Sequence, residues 1–159
     1  MDYLQFKRQF DAEYDALVLP GDCKEISDPI FVVGTQYSWH VKWYLKFSDD
    51  KFVRIWEHHS KLAGLQDARR LAFAYHYGPI DGLDKDGLPA IGSNKPVEFR
   101  IDNSAQRVHL HLGGPEHIYQ ENVGKLDLES SDMFTFLSRI FEHRSTGKTF
   151  DKVFGFKII

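Results

Sequence analysis

The residue types best suited to chemistry are concentrated in one short segment, residues 107–112, which reads Arg-Val-His-Leu-His-Leu. Polar and apolar residues alternate there, and a period of two is typical of a half-buried β-strand. The alternation predicts a core side and an opposite side: Val108, Leu110 and Leu112 on the first, Arg107, His109 and His111 on the second. Two imidazoles about 7 Å apart on one face can share a proton-transfer task or help to hold a metal ion.

Proton transfer by these histidines would suit the cleavage of RNA. That reaction needs a general base at the 2′-hydroxyl, a general acid at the leaving oxygen and a cation at the phosphate. Histidine can do both proton tasks because its pKa lies near neutrality. We expect Arg100 and Arg107 to supply the cation and Asp102 to orient an imidazole. The sequence therefore predicts a metal-independent ribonuclease, without a cofactor, in which His109 and His111 act as acid and base.

Two other interpretations of the same residues stay open. His117 follows the strand closely, so His109, His111 and His117 could form a three-histidine metal site with an open position for water. Alternatively, these residues are polar groups on the solvated face of a sheet. The chain would then be a non-catalytic interaction module whose aromatic sheet and apolar segment 153–159 bind another protein.

Alternating apolar residues predict the strands that must position this site. The predicted strands are 30–33, 39–47 with a slip in phase near Tyr44, 52–56, 70–77, 97–102 and 107–112. Residues 103–106 are few enough for a hairpin connection, which would bring Arg100 and Asp102 to the face of the two histidines. A register slip of one residue would separate them. His76 in the fourth of these strands points into the same cleft if all the strands pair in sequence.

Two amphipathic helices are predicted at the ends of the chain. The first spans residues 2–17 and ends at 19–21, where Leu-Pro-Gly stands. The second begins with Ser130 as its N-cap and stops at Gly147. Residues 57–69 are polar and carry no clear pattern, residues 78–96 are predicted to form a long loop, and segment 153–159 looks extended. The predicted fold is α+β, an antiparallel β-meander of five or more strands with N- and C-terminal helices packed on one face.

Composition limits the class of protein. The chain has 159 residues, of which 42% are apolar, enough for a single globular domain over residues 1–159. Its net charge of −3 argues against sequence-independent binding of nucleic acid, although a small basic cleft can lie on an acidic surface. Cys23 is the sole cysteine, so no internal disulfide can form. Without a signal-peptide pattern or an apolar run of membrane length, we expect a cytoplasmic protein that binds no membrane.

The segment from Phe99 to Asn103, followed by the histidine strand and a final amphipathic helix, resembles the TumE family. These are toxin components of bacterial type II toxin–antitoxin pairs. The resemblance covers residues 37–142 in element order and is motif-like over 99–117, with Ile101 in place of the usual aromatic residue. It implies a growth-inhibiting, RNA-cleaving protein that a cognate antitoxin neutralises. Separately from the resemblance, homo-oligomers of the chain are a further expectation. Carried over by position, it implicates five residues: Arg100, Asp102, Asn103, His109 and His111.

Overall fold

The computed structural model describes residues 1–18, 25–90, 96–104 and 107–159 of the chain. The predicted helix end at 19–21 lies outside the described residues. So do Cys23 and parts of two predicted loops, residues 91–95 and 105–106.

The described residues form three α-helices and ten short or medium strands. The helices are α1 (Tyr3–Glu13), α2 (Met133–Thr146) and α3 (Phe150–Phe154). A π-helical turn, Tyr14–Val18, extends α1. The strands are β1 (Glu25–Ile26), β2 (Ile30–Thr35), β3 (Ser38–Lys46), β4 (Lys51–Lys61), β5 (Ala68–Pro79), β6 (Phe99–Asp102), β7 (His109–His111), β8 (Ile118–Tyr119), β9 (Val123–Gly124) and β10 (Lys157–Ile158).

Eight of these strands make one antiparallel sheet. Its order is β1-β3-β4-β5-β6-β7-β8, and β2 pairs with another part of β3. From β2 to β8 each strand pairs with the next one along the chain, which defines a meander. The predicted α+β class and the antiparallel meander are therefore confirmed.

Strand β3 explains why one face of the sheet is so aromatic. Its burial alternates without interruption, with Trp39, Val41, Trp43 and Leu45 fully buried. The predicted slip in phase near Tyr44 is wrong, because Phe47 keeps the same parity and is also buried. A regular pleat sends every second side chain to one face, so no bulge is needed here.

The helices cover this aromatic face, as predicted. Phe10 of α1 lies 5.6 Å from Trp43 between ring centroids, and 5.4 Å from Phe134 of α2. Phe136 of α2 lies 5.5 Å from Tyr75 of β5. One hydrophobic cluster thus joins both helices to the sheet.

Several predicted boundaries are wrong at the ends of elements. Asp132, not Ser130, caps α2, because its carboxylate accepts a hydrogen bond from the Thr135 backbone N–H. Gly147 ends α2 in the left-handed conformation, as predicted. Segment 153–159 is not wholly extended: α3 runs to Phe154, and only β10 pairs, with β9, in a second small sheet. Strand β4 continues to Lys61 through residues for which no element was predicted.

The other face of the sheet is polar. Part of it is covered by the acidic loop, which comprises residues 80–90 and carries Asp84 and Asp86. Asp84 in this loop accepts hydrogen bonds from Lys42 of β3 at 2.7 Å and from Arg54 of β4 at 3.1 Å. Its other oxygen accepts from the backbone N–H groups of Asp86 and Leu88, which shapes the turn. The loop is therefore fastened to the sheet by a carboxylate shared between two cations.

The longest α-helix among the described residues, α2, has 14 residues. No helix in the described ranges has both the length and the hydropathy needed to cross a bilayer.

Candidate functional site

The register of three neighbouring strands brings the predicted site residues together. Asp102 of β6 lies opposite His109 of β7, and Arg100 lies opposite His111. On the other side of β6, His76 of β5 lies opposite Arg100. The predicted pairing of the two strands is present in the register that places these five side chains on one face.

At the two strand histidines this face is buried rather than solvated, which argues against the alternative interpretation of these residues as polar groups on a solvated sheet face. His109 has an exposed fraction of 0% and His111 of 4%. Leu112, predicted to face the core, is 41% exposed, because β7 ends at His111 and the chain turns away at Gly113. Strand alternation gave the correct side for the two imidazoles but not their burial, since that depends on what covers the sheet.

Three imidazoles converge at the end of β7. The ring centroids of His109 and His111 are 5.0 Å apart, and His117 lies 4.3 Å from the first and 4.8 Å from the second. Ring nitrogens of all three lie within 4.8 Å of one another. A tetrahedral zinc ion with Zn–N bonds of 2.0–2.1 Å needs nitrogens roughly 3.4 Å apart.

The two buried rings are held in one orientation by the main chain. His109 donates from Nδ1 to the carbonyl oxygen of Arg107 at 2.9 Å, and His111 donates from Nδ1 to that of Gly114 at 3.1 Å. With Nδ1 as the donor, Nε2 carries the lone pair in the neutral ring. Both Nε2 atoms are buried and have no hydrogen-bond partner within the described part of the chain. This is the arrangement in which metal-binding histidines are commonly held.

Asp102 is the charged centre of the cluster. It is fully buried and accepts hydrogen bonds from Arg100 Nε, the Ser104 backbone N–H at 3.0 Å and the Ser104 hydroxyl at 2.6 Å. Its Oδ1 is 3.1 Å from His109 Nε2, but the two are not aligned as a hydrogen bond. Burial raises the pKa of Asp102, whereas its polar neighbours outweigh burial and hold that pKa well below its ordinary value. We ascribe the lowering to Arg100 and Ser104, since His76 is 3.9 Å away, too far for a direct hydrogen bond.

Burial also keeps two of the histidines neutral. The pKa of His76 falls from 6.5 to about 4, mainly through loss of solvent. The nearby Asp102 carboxylate raises this pKa, whereas the Arg100 guanidinium lowers it. Burial lowers the pKa of His111 as well, although the Gly114 carbonyl acts in the opposite direction. A neutral imidazole is the form that binds a metal, and it is a poor general acid.

Two of the predicted binding residues lie away from this cluster. The side-chain amide of Asn103 is used by the sheet: Oδ1 accepts from the Phe73 N–H at 2.9 Å, and Nδ2 donates to the Leu71 carbonyl at 2.9 Å. Arg107 is exposed and pairs with Glu121 at 2.6 Å. Asn103 therefore joins two strands, and only the backbone of Arg107 belongs to the site.

The cluster continues into a cavity that sequence reasoning missed. A cavity of about 360 Å³ lies beside His76 and is lined by residues of β3, β4, β5 and the acidic loop: Lys42, Arg54, Trp56, Ala74, His76, Lys85 and Asp86. Arg54 lies opposite His76 in the β4–β5 ladder. Alternation along the predicted strand 52–56 already placed Arg54 on the face opposite Val53 and Ile55, but only the register shows that it faces His76.

A second buried polar cluster lies on the helical face of the sheet. Glu57 of β4 accepts hydrogen bonds from His59 Nε2 at 2.8 Å and from the Tyr75 hydroxyl. Arg70 donates to that hydroxyl at 2.6 Å and to the carbonyl oxygens of Glu129 and Ser131. The cluster borders a larger cavity of about 680 Å³ between α1 and the start of α2. No pattern in residues 57–69 signalled it, because its partners come from three separate segments.

No protein-family model matches the chain, and no curated protein or solved structure matches it either.

Proposed function

We propose that this protein is a small metal-dependent enzyme whose ion is held by His109, His111 and His117. The observation that carries the proposal is the pair of buried Nε2 atoms that make no hydrogen bond, in rings whose Nδ1 atoms donate to backbone carbonyls. A buried polar atom without a partner is unfavourable, so two of them side by side indicate a missing ligand. A cation shared by both would satisfy each lone pair.

The third ligand determines how the site opens. His117 is exposed, whereas the other two rings are buried, so solvent and substrate would approach from its side. Three histidine ligands leave a fourth position open, and a zinc ion in such a site lowers the pKa of a bound water to about 7. Around it, Asp102 would balance the positive charge, while Arg100 both holds Asp102 and contributes a cation next to His111.

A metal titration tests the proposal directly. The chain, purified without a histidine tag and stripped with a chelator, should bind about one equivalent of zinc. His117→Ala should reduce the affinity by at least about 100-fold, since even outer partners of metal ligands are worth 10- to 100-fold. The exposed position of His117 makes misfolding a poor explanation for such a loss. His143→Ala, on α2, is the matched control and should bind as the wild type does.

Either of two results would refute the metal site. One is a wild-type chain that binds no divalent ion at micromolar concentration. The other is a His117→Ala variant whose zinc affinity equals that of His143→Ala.

The metal-independent ribonuclease is the second candidate, and the position of Arg100 and Asp102 beside the imidazoles favours it. In this case the chain is a cytoplasmic, toxin-like protein, partnered by an antitoxin. RNA cleavage should then persist in a chelator, with a bell-shaped rate profile around neutral pH. Induced expression should slow growth, and His109→Ala or His111→Ala should restore it. Equal growth with all forms, and no bound metal, would leave the non-catalytic interaction module as the better explanation.

A further inference from the structure

The polar face carries a second set of unpartnered atoms, next to the histidine trio but separate from it. Both ring nitrogens of His76 and the Nε of Arg54 are buried without hydrogen-bond partners. The described ranges contain eight buried side-chain nitrogen or oxygen atoms without a hydrogen bond. Five of them are these three atoms and the Nε2 atoms of His109 and His111. Unsatisfied polar atoms are thus concentrated on one side of one sheet, where a ligand would satisfy them.

The chemistry of this second set differs from that of the trio. An arginine Nε–H can only donate, so its missing partner is an acceptor. A neutral His76 ring offers one further donor. Lys42 and Lys85 line the same cavity, while Asp86 is the one carboxylate among the described residues that line it. Donors and cations around one cavity call for an anion, whereas the lone pairs of the trio call for a cation.

The acidic loop already supplies a partial substitute for such an anion. Asp84 occupies the position between Lys42 and Arg54, and Asp86 also pairs with Lys42 at 2.8 Å. Even so, the Asp84 carboxylate engages Arg54 through Nη2 alone, and Nε is left unpaired. An anion with oxygens in a tetrahedral array could serve both nitrogens of the guanidinium, as phosphate commonly does.

The cavity lies within reach of the proposed ion. His76, Arg100 and His111 follow one another across three adjacent strands, so His76 is roughly 10 Å from His111. Trp56 forms an aromatic wall on the far side and offers a surface on which a planar group can stack. A ligand of nucleotide size could therefore contact both places.

We propose that this cavity binds a phosphate group of the substrate through Arg54 and His76, so that the substrate of the metal centre is a phosphate-bearing molecule that extends from the cavity to the ion. The proposal rests on the proposed metal-dependent function, and it assigns the substrate class of that same site. Asp84 holds the cations in place when the cavity is empty, and the phosphate replaces it when substrate binds.

Calorimetric titration of inorganic phosphate tests this proposal in both metal-free and zinc-loaded protein. Phosphate should bind both forms. Arg54→Gln should weaken binding about tenfold or more, because a charge-assisted hydrogen bond is lost. Arg54→Lys, which keeps the charge but has no Nε donor, should also weaken it. Arg139→Gln, the same charge change on α2, is the control and should bind as the wild type does.

Asp84→Asn gives the sharpest contrast. Asparagine keeps an oxygen for the turn but no longer competes as an anion, so phosphate affinity should rise several-fold. If Arg54 and Lys42 only fastened the loop, this substitution would leave phosphate binding unchanged or weaken it. The phosphate site would be overturned if Asp84→Asn left phosphate affinity unchanged or lowered it. It would also be overturned if the wild type and both Arg54 variants bound phosphate with equal affinity.

Zinc content measured in the same samples separates the two proposals. If the chain binds zinc but not phosphate, the metal site is supported and the phosphate site is refuted. If it binds phosphate but not zinc, the phosphate site is supported and the metal site is refuted. Competition by a mononucleotide and by an oligoribonucleotide then distinguishes the source of the phosphate. Tighter competition by the oligonucleotide identifies a phosphodiester substrate, and tighter competition by the mononucleotide a phosphomonoester.

Discussion

Two buried clusters of histidine, carboxylate and arginine lie on opposite faces of the same sheet, and they differ in how completely their polar atoms are paired. In the Glu57 cluster, both carboxylate oxygens accept hydrogen bonds, and Arg70 reaches two backbone carbonyls. In the Asp102 cluster the carboxylate is equally well served, but His76, His109 and His111 retain nitrogens without partners. The same residue types thus form a fully hydrogen-bonded network around Glu57, here called closed. Around Asp102 they form a network with unpaired nitrogens, here called open.

This difference separates a structural role from a functional one. A closed polar network gains nothing from a ligand, and it is expected to fix the packing of the strands and of α2. An open network is less favourable in the free protein and is satisfied only when something binds. We therefore expect substitutions in the Glu57 cluster to change stability, and substitutions in the Asp102 cluster to change binding.

The largest effect on stability is expected for Glu57→Ala. The substitution takes the shared acceptor away from His59 and from the buried Tyr75 hydroxyl, and it removes the carboxylate that lies 3.9 Å from Arg70. Removing one partner of a buried charge pair costs about 3–5 kcal/mol, so urea unfolding should show a loss of that size. Zinc affinity should remain that of the wild type. A loss of stability below about 1 kcal/mol would contradict the structural role of the Glu57 cluster. A parallel loss of zinc binding would contradict the separation of the two roles.

His76 is expected to make the free energy of unfolding depend on pH. Its pKa falls from 6.5 in the unfolded chain to about 4 in the folded one, so the unfolded state binds more protons in between. Stability is then fully present above pH 6.5 and is lost as pH falls toward 4, by up to about 3 kcal/mol. His76→Gln should remove this component. Chemical unfolding of both proteins at several pH values measures it, and a difference between them that stays constant from pH 7.5 to 4 would contradict it.

A smaller effect is expected for Gly78→Ala, which should act on the open cluster. A Cβ atom at Gly78 would lie 2.8 Å from Val97 Cα and 2.9 Å from Glu98 N. Strand β5 and the segment entering β6 would have to separate, at a cost of about 1–3 kcal/mol. Because that contact also places His76 beside Asp102, phosphate affinity should fall together with stability.

Gly34→Ala is the control for this substitution, since a Cβ there has its nearest contact at an ordinary 3.6 Å. If both alanine variants unfold at the same urea concentration and bind phosphate equally, the close approach at Gly78 has no part in positioning the site.

The sequence was sufficient to predict the order of the longer strands and helices and the residues at the centre of the open cluster, but not the short elements β1, β8, β9, α3 and β10. Alternation gave the faces of β5 and β7, and the short connection after Asp102 implied the pairing that the structure contains. It was not sufficient to show the burial of His109 and His111, because alternation along a strand cannot reveal which segments pack over the polar face. Glu57 and Arg54 were missed for a related reason. The role of each depends on partners in other strands, and local periodicity does not predict the register between those strands.

The carbonyl groups that orient His109 and His111 have a consequence for the evolution of this site. They belong to the main chain of Arg107 and Gly114, so the side chain at position 107 can change freely while the imidazole keeps its tautomer. Selection would act instead on Gly113, whose φ of +77° forms the turn that carries the Gly114 carbonyl back to the ring. Divergent relatives of this chain should therefore retain three histidines and a glycine, with few other identities around them.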